Sequence, residues 1–174
     1  MDKSVEKKYI LGIDPGIGRF GWAVCLVDKV EITYVDGGCI ITKPKSPDKN
    51  RLYIIFTELE QVLKKYVIVG IGIEKVFFSK NVKSAISTGE SKAIPLILAG
   101  KYKCSVWELS PNEIKNTVTG YGFASKDQVK QMIKKILSLD FDPTPDDFAD
   151  AIAVAYCSCR EYQYEIKFDM SKPN

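Results

Sequence analysis

The chain of 174 residues contains no histidine. This absence excludes Ser-His and Cys-His nucleophilic catalysis, and it excludes every zinc site that depends on imidazole ligands. Any proton transfer by this protein must therefore use a carboxylate, a lysine, a tyrosine or a metal-bound water.

Cysteine is scarce, and its spacing is not that of a zinc site. The odd number of cysteines also argues against a complete disulfide framework. We expect five reduced thiols, as in a cytoplasmic protein. The five residues are Cys25, Cys39, Cys104, Cys157 and Cys159.

Long apolar runs and a strong charge of one sign are also missing. No run reaches the roughly 20 apolar residues that a membrane-spanning helix requires, and residues 1–8 lack the apolar segment of a signal peptide. We therefore expect a cytoplasmic protein with no membrane partner. With 25 Lys and Arg against 22 Asp and Glu, the net charge is +3. Binding to nucleic acid is thus allowed, but it must depend on local clusters of basic residues.

The pattern of apolar residues predicts one α/β domain over residues 9–160, with flexible tails at 1–8 and 161–174. Three strands follow one another, and helices then alternate with two further strands. This order packs as a five-stranded mixed sheet with helices on both faces, although spacing does not give the strand order. The predicted strands are 9–14, 20–27, 30–41, 67–74 and 103–109.

Acidic residues lie at the ends of three predicted apolar elements. Asp14 ends the first strand, Glu74 ends the long apolar strand, and Asp147 and Asp150 lie at the start of the last helix. Buried carboxylates are costly to bring together unless cations neutralise them, and a cage of oxygen ligands suits Mg²⁺ or Mn²⁺. The set predicts a two-metal site for phosphodiester cleavage.

Most of these acids also have a plain structural explanation. Asp14 can start a turn, Glu74 can emerge into solvent at its strand end, and Asp147 can cap a helix. Capping does not explain Asp150, one turn inside the helix. Asp146 and Asp150 could grip an ion as well as Asp147 and Asp150, so spacing alone does not choose between Asp146 and Asp147.

Five segments match one known family in the family's order: 11–16, 37–40, 73–81, 111–120 and 149–155. Here the sequence resembles the RuvC family of Holliday-junction resolvases. The resemblance implies an RNase H-like fold and an endonuclease of homologous recombination and DNA repair. Such an enzyme nicks two opposed strands of a four-way DNA junction symmetrically and leaves 5′-phosphate and 3′-hydroxyl ends.

The resemblance also implies the site residues and the cofactor. It assigns Asp14, Glu74, Asp147 and Asp150 as catalytic, metal-binding acids, and it selects Asp147 over Asp146. It implies two Mg²⁺ ions in each active site, with Mn²⁺ expected to substitute.

Contacts to DNA are expected from aromatic and basic residues near these acids. Phe77 and Phe78 suit stacking on unpaired bases, although core packing is the alternative for one of them. By resemblance, Phe77 stacks at the branch point of the junction. Lys115, also assigned to catalysis, and Lys126 match lysines that the family uses near the scissile phosphate. Further candidates for DNA binding are Lys80, Asn81 and Lys83.

Symmetric cutting requires two copies, and the resemblance implies a homodimer. Its dimer helix contains a stripe of small residues, Ala85, Gly89 and Ala93, which could instead pack on the chain's own sheet. Pro95 is expected to bend this helix near residues 91–95, which leaves the details of the dimer surface open. The family also suggests the RuvA–RuvB branch-migration complex as a partner, and the residues leave that question open.

Two other functions fit parts of the sequence. An actin-like nucleotide-binding protein shares the opening fold and an Asp-x-Gly phosphate loop, but it needs a second related domain. A catalytically idle junction-binding module would keep the fold, although the intact acid set argues against it.

Overall fold

The computed structural model describes residues 7–75 and 82–170. These residues form, in chain order, β1 (Lys8–Asp14), β2 (Arg19–Val27), β3 (Ile32–Ile41), α1 (Asp48–Lys65), β4 (Ile68–Glu74), α2 (Val82–Tyr102), β5 (Ser105–Leu109), α3 (Pro111–Thr119), α4 (Lys126–Ile136) and α5 (Asp146–Met170).

The five strands form one mixed sheet in the order β3-β2-β1-β4-β5. Strand β1 pairs antiparallel with β2, and β2 with β3, whereas β1 with β4 and β4 with β5 are parallel. The predicted five-stranded mixed sheet is confirmed, and the structure adds the strand order. Because β1 and β4 are parallel neighbours, Asp14 and Glu74 end at the same edge of the sheet.

Helices cover both faces of the sheet, as predicted. Successive residues of a strand point to opposite faces, so the strands supply apolar side chains to a core on each side. On one face Leu11 and Ile13 of β1 pack in a core with residues of α1 and α2. On the other face Ile10 and Ala23 pack with residues of α3, α4 and α5.

Helix α5 lies directly on β1 and β2 because glycines make room for its backbone. A Cβ atom at Gly12 would collide with the backbone of Ala151 and Ala155, and one at Gly21 would collide with the carbonyl oxygen of Asp147. These close approaches set the first turns of α5 over the strand ends.

The last helix is longer than predicted. It continues to Met170 instead of ending near Arg160, so the expectation of a flexible tail is wrong for residues 161–170. Contacts to the sheet continue along this part: the ring of Tyr162 lies 6.2 Å from that of Trp107, and the buried Gln163 donates a 2.9 Å hydrogen bond to the carbonyl of Asp28. These residues are polar in sequence, but one side of the helix is still packed.

Helix α2 continues without interruption through Pro95 and ends at Tyr102. The bend predicted near residues 91–95 stays a prediction. Ile94 and Leu98 of this helix are buried, whereas Gly89 and Ala93 are exposed. These two members of the small-residue stripe therefore face away from the chain's own sheet. Within residues 7–75 and 82–170, no helix is long and apolar enough to cross a membrane.

Candidate active site

Three elements bring the four predicted acids to one edge of the sheet. Asp14 ends β1, Glu74 ends β4, and Asp147 and Asp150 lie in the first turns of α5. The negative charges of Glu74, Asp150 and Asp147 all raise the pKa of Asp14, an effect that requires them to lie close by. The structure thus brings the four side chains together.

The start of α5 is anchored so that its acids face the strand ends. The backbone N–H of Phe148 bonds to the carbonyl of Pro145 at 3.0 Å, and its ring stacks on Phe141 with 6.1 Å between centroids. Phe148 is buried, and so is Ala149. Because Asp147 and Asp150 are three residues apart, they share the neighbouring side of the helix.

Burial and three neighbouring carboxylates raise the pKa of Asp14 to about 8. Burial, and then the charge of Asp150, also raise the pKa of Glu74. Four carboxylates in one place cannot all ionise cheaply, so a proton on Asp14 relieves their repulsion at neutral pH. Strongly shifted pKa values of this kind are typical of functional sites.

Two basic side chains pair with the acids of α5. Lys126 Nζ lies 2.6 Å from Asp150 Oδ2, and Arg19 Nε lies 2.9 Å from Asp147 Oδ2. The hydrogen bond to Asp150 is the main reason that the pKa of Lys126 is raised. These contacts place Lys126 beside the acids.

Arg19 is a site residue that sequence reasoning missed. It begins β2 two residues before Gly21, which pairs with Asp14 across the β1–β2 ladder. Residues two apart on a strand point to the same face, and Gly21 is where α5 touches that face. Only the strand register connects Arg19 with Asp147, so no local sequence signal marks it.

A cavity of about 220 Å³ opens beside the acids, between α3, α4 and α5. Its polar lining is Glu74, Lys115, Lys126 and Asp150, and Ile114 and Val129 are among its apolar lining residues. The positive charges of Lys126 and Lys115 offset part of the upward shift in the pKa of Glu74. The two lysines that the resemblance selected therefore share this cavity with Glu74 and Asp150. We call the cavity, together with the adjoining Asp14 and Asp147, the acid cleft.

Asp146 and Asp147 occupy different surroundings. Asp147 is one of the carboxylates that raise the pKa of Asp14. Asp146 lines a small neighbouring groove with Lys126, Asp127 and Lys130, among others. The position of Asp147 agrees with the choice that the resemblance made.

The oxygen donors of the acid cleft suit a hard divalent cation. Among the residues that the structure describes, however, no three His, Cys, Asp or Glu side chains are grouped so that they could hold a metal ion as they stand. Asp147 and Asp150 point instead to Arg19 and Lys126. The donor chemistry fits a metal, and closing a full ligand set requires these two carboxylates to turn.

Several predicted DNA contacts lie outside the described residues, namely Phe77, Phe78, Lys80 and Asn81. Lys83 belongs to α2, but its side chain is also outside the description. Binding of DNA by these residues stays a prediction.

Comparison with known proteins gives one consistent answer. The family model for "Crossover junction endodeoxyribonuclease RuvC" matches residues 10–158. The RuvC endonuclease of Thermosipho melanesiensis is 39% identical over 155 residues, which cover 89% of this chain and 99% of that protein. The RuvC endonuclease of Pseudothermotoga lettingae is 43% identical over 150 residues, which cover 86% of this chain and 93% of that protein.

Solved structures agree with these sequence matches. RuvC of Thermus thermophilus in complex with a Holliday junction substrate aligns with a TM-score of 0.84 at 27% identity, covering 90% of this chain and 96% of that one. The yeast mitochondrial Holliday junction resolvase Ydc2 aligns with a TM-score of 0.62 at 16% identity, over 91% of this chain and 82% of that one. The second likeness shows a shared fold alone.

Proposed function

The chain belongs to the RuvC family of crossover junction endodeoxyribonucleases, and from this premise we propose how its own residues resolve Holliday junctions. The enzyme is a nuclease that acts on four-way DNA junctions. The observation that carries the proposed site is the crowding of four carboxylates from β1, β4 and α5, which together with the burial of Asp14 raises its pKa to about 8. Such a cluster is suited to binding divalent cations, which in turn attract a phosphate.

The four acids would hold two Mg²⁺ ions, with Mn²⁺ as a substitute. Such a pair of ions supplies an activated water and stabilises the leaving oxygen of the phosphodiester. Asp14, from the end of β1, would be the central ligand of the set, because Glu74 and the two acids of α5 all lie around it. Asp147 and Asp150 would turn away from Arg19 and Lys126 to complete the ligand set.

The basic groups of the acid cleft would then be free to hold the DNA. Lys126, released from Asp150, and Lys115 line the cavity beside the acids. Their charge would neutralise the scissile phosphate and the charge that develops in the transition state. Cleavage would leave 5′-phosphate and 3′-hydroxyl ends. Phe77 remains the proposed stacking residue at the branch point.

A homodimer in the cytoplasm would place two such sites on one junction. The proposed interface is the exposed side of α2, where Gly89 and Ala93 allow close approach and Ile86 and Ile97 are 58% and 62% exposed. The family suggests the RuvA–RuvB complex as a further partner.

The first prediction concerns Asp14→Asn. Removing the central carboxylate should abolish Mg²⁺-dependent cleavage of a synthetic four-way junction while junction binding is retained, because the basic groups are untouched. Cleavage by the wild type and the variant is compared on a four-way junction, a fork and a linear duplex, with binding measured in EDTA. Glu58→Gln, which removes an exposed carboxylate of α1, is the matched control and should cut normally.

Full activity of Asp14→Asn would refute the site assignment. Equal cutting of all three substrates by the wild type would reduce the protein to a generic nuclease. An absence of Mg²⁺-dependent nicking by the wild type would support the idle junction-binding module. Because the chain belongs to the RuvC family, the actin-like interpretation is rejected.

A further inference from the structure

Two aromatic rings are exposed at the tip of the loop between α3 and α4. Phe123 is 84% exposed and Tyr121 is 58% exposed. Their ring centroids are 5.8 Å apart, so the two rings form one apolar surface. The packing of this chain does not account for rings left in water, and the roles proposed for the acids and lysines do not use them.

The loop that presents the rings is held from both sides. Thr119 Oγ1 donates a 2.8 Å hydrogen bond to the carbonyl of Lys115, and the backbone N–H of Tyr121 donates a 3.1 Å bond back to Thr119 Oγ1. The N–H of Ala124 bonds to the carbonyl of Tyr121 at 3.1 Å, and Ala124 is buried. The hydrogen bonds before Phe123 and the buried Ala124 after it hold the backbone of the loop, so the ring of Phe123 stays at the surface.

The loop that carries the rings is joined directly to two helices that line the acid cleft. Their loop connects α3, which contains Lys115, with α4, which begins at Lys126. Phe123 precedes Lys126 by three residues, and three residues of chain span at most about 11 Å. Lys126 Nζ in turn lies 2.6 Å from Asp150 Oδ2. DNA whose phosphate occupies the cleft would therefore pass within reach of the rings.

A groove with both polar and apolar lining runs from Tyr121 along α4. This cavity of about 240 Å³ is lined by Tyr121 together with Gln128, Gln131 and Lys135, among others. Amide and ammonium donors of this kind suit a phosphate backbone, whereas an aromatic face suits a base. The loop and the groove thus combine the two kinds of contact that single-stranded DNA offers.

We propose that Tyr121 and Phe123 form an aromatic DNA-binding surface that stacks on a base left unpaired beside the scissile phosphate. The proposal rests on the function proposed for the acid cleft, because that function places the phosphate there. Lysine charges attract phosphates without regard to base pairing, whereas a ring can bind a base only where the helix has opened. The surface would therefore favour an opened junction over intact duplex.

The test measures binding of Phe123→Ala to a four-way junction that contains 2-aminopurine next to the scissile phosphate, in EDTA. We expect the Kd to rise about 5- to 100-fold, in line with the loss of one base stack, and the fluorescence change of the probe to be lost. Phe123→Trp should restore both. The melting temperature should not change, because the ring is exposed.

Salt dependence separates this contact from a phosphate contact. Phe123→Ala should leave the slope of log K against log salt unchanged, whereas Lys126→Ala should reduce it by about one unit. Tyr164→Ala is the matched control, because Tyr164 is 68% exposed and stacks on Phe168 with 6.5 Å between centroids. It lies on α5 roughly 25 Å along the helix from Asp147 and should bind the junction as the wild type does.

Wild-type binding and an unchanged probe signal in Phe123→Ala would overturn the proposal. An equal loss of binding to linear duplex would overturn it as well, since that result would assign the ring to paired DNA. Either outcome leaves the proposed function intact as long as the wild type cuts the junction and Asp14→Asn does not.

Discussion

The proton on Asp14 lowers the negative charge of the acid cleft. Asp14 carries this proton at neutral pH, since burial and three carboxylates raise its pKa from 3.8 to about 8. In the unfolded chain the same group releases its proton near pH 4. Between these two values the folded protein binds more protons than the unfolded chain does. Because the folded-state pKa is the higher one, the stability of the metal-free protein should fall as pH rises from about 4 to 8.

Asp14→Asn should therefore stabilise the metal-free protein at pH 8, by up to roughly 5 kcal/mol. An amide has nearly the same size and no charge to bury. The gain should shrink as pH falls and vanish near pH 4, where the wild-type carboxyl is protonated in both states. Urea denaturation in EDTA at several pH values measures it.

Two results would contradict this account of Asp14. One is a stability difference that stays the same at every pH. The other is a wild type that Mg²⁺ stabilises no more than it stabilises Asp14→Asn, because an ion held by Asp14 must favour the folded wild type. Glu58→Gln should follow the wild-type pH dependence.

At the scale of elements, the acids depend on how closely α5 lies on the sheet. Gly12 and Gly21 remove two side chains at the points where the helix backbone crosses β1 and β2. Asp147 and Asp150 lie in the same turns as these contacts. The distance between α5 and the sheet therefore determines whether Asp147 and Asp150 reach Asp14.

Gly12→Ala should lift or shift α5 and should cost about 3 kcal/mol or more, because its methyl group would overlap the backbone of Ala155. Junction cleavage should fall together with stability. Chemical denaturation and the cleavage assay measure the two effects. Gly100→Ala in α2 is the control: apart from its own helix backbone and chain neighbours, no atom of the described residues lies within 4 Å of the added carbon, so this variant should gain roughly 0.5–1 kcal/mol. Equal stability of the two variants would contradict the close packing of α5.

At the scale of the whole molecule, two symmetric cuts require two acid clefts. The exposed side of α2 suits a two-fold contact, in which the same surface of both subunits meets. Its small residues lie beside exposed apolar ones, and its other side is packed against the sheet. Dimerisation would cover an apolar surface that the single chain leaves in water.

Gly89→Arg should therefore convert the proposed dimer into a monomer, because a long charged side chain would enter the closest point of the proposed contact. Sedimentation velocity measures the change, and the monomer should nick junctions without pairing the two cuts. Val30→Arg, at a residue 90% exposed in the β2–β3 turn, is the control and should stay dimeric. A dimeric Gly89→Arg variant would assign the interface to another surface.

Some features of this protein follow from short stretches of sequence. Apolar periodicity is local, so it predicted the alternation of strands and helices and placed Asp14 and Glu74 at strand ends. The segments around these acids and around Asp150 also carried the family resemblance. The same local reasoning ended the last helix too early. Residues 161–170 are mostly polar, but they continue α5, and one side of the helix is packed.

Other features were decided only by the tertiary structure, because they depend on contacts between residues far apart in the chain. The parallel pairing of β1 with β4 puts Asp14 beside Glu74, 60 positions later. Strand register and the close approach at Gly21 bring Arg19 to Asp147. Charged residues so far apart in sequence shift each other's pKa only once folding has brought them together and removed the water between them. The sequence by itself thus determined which acids are present, and the fold decided that they meet in one cleft, where burial and their mutual repulsion raise the pKa of Asp14.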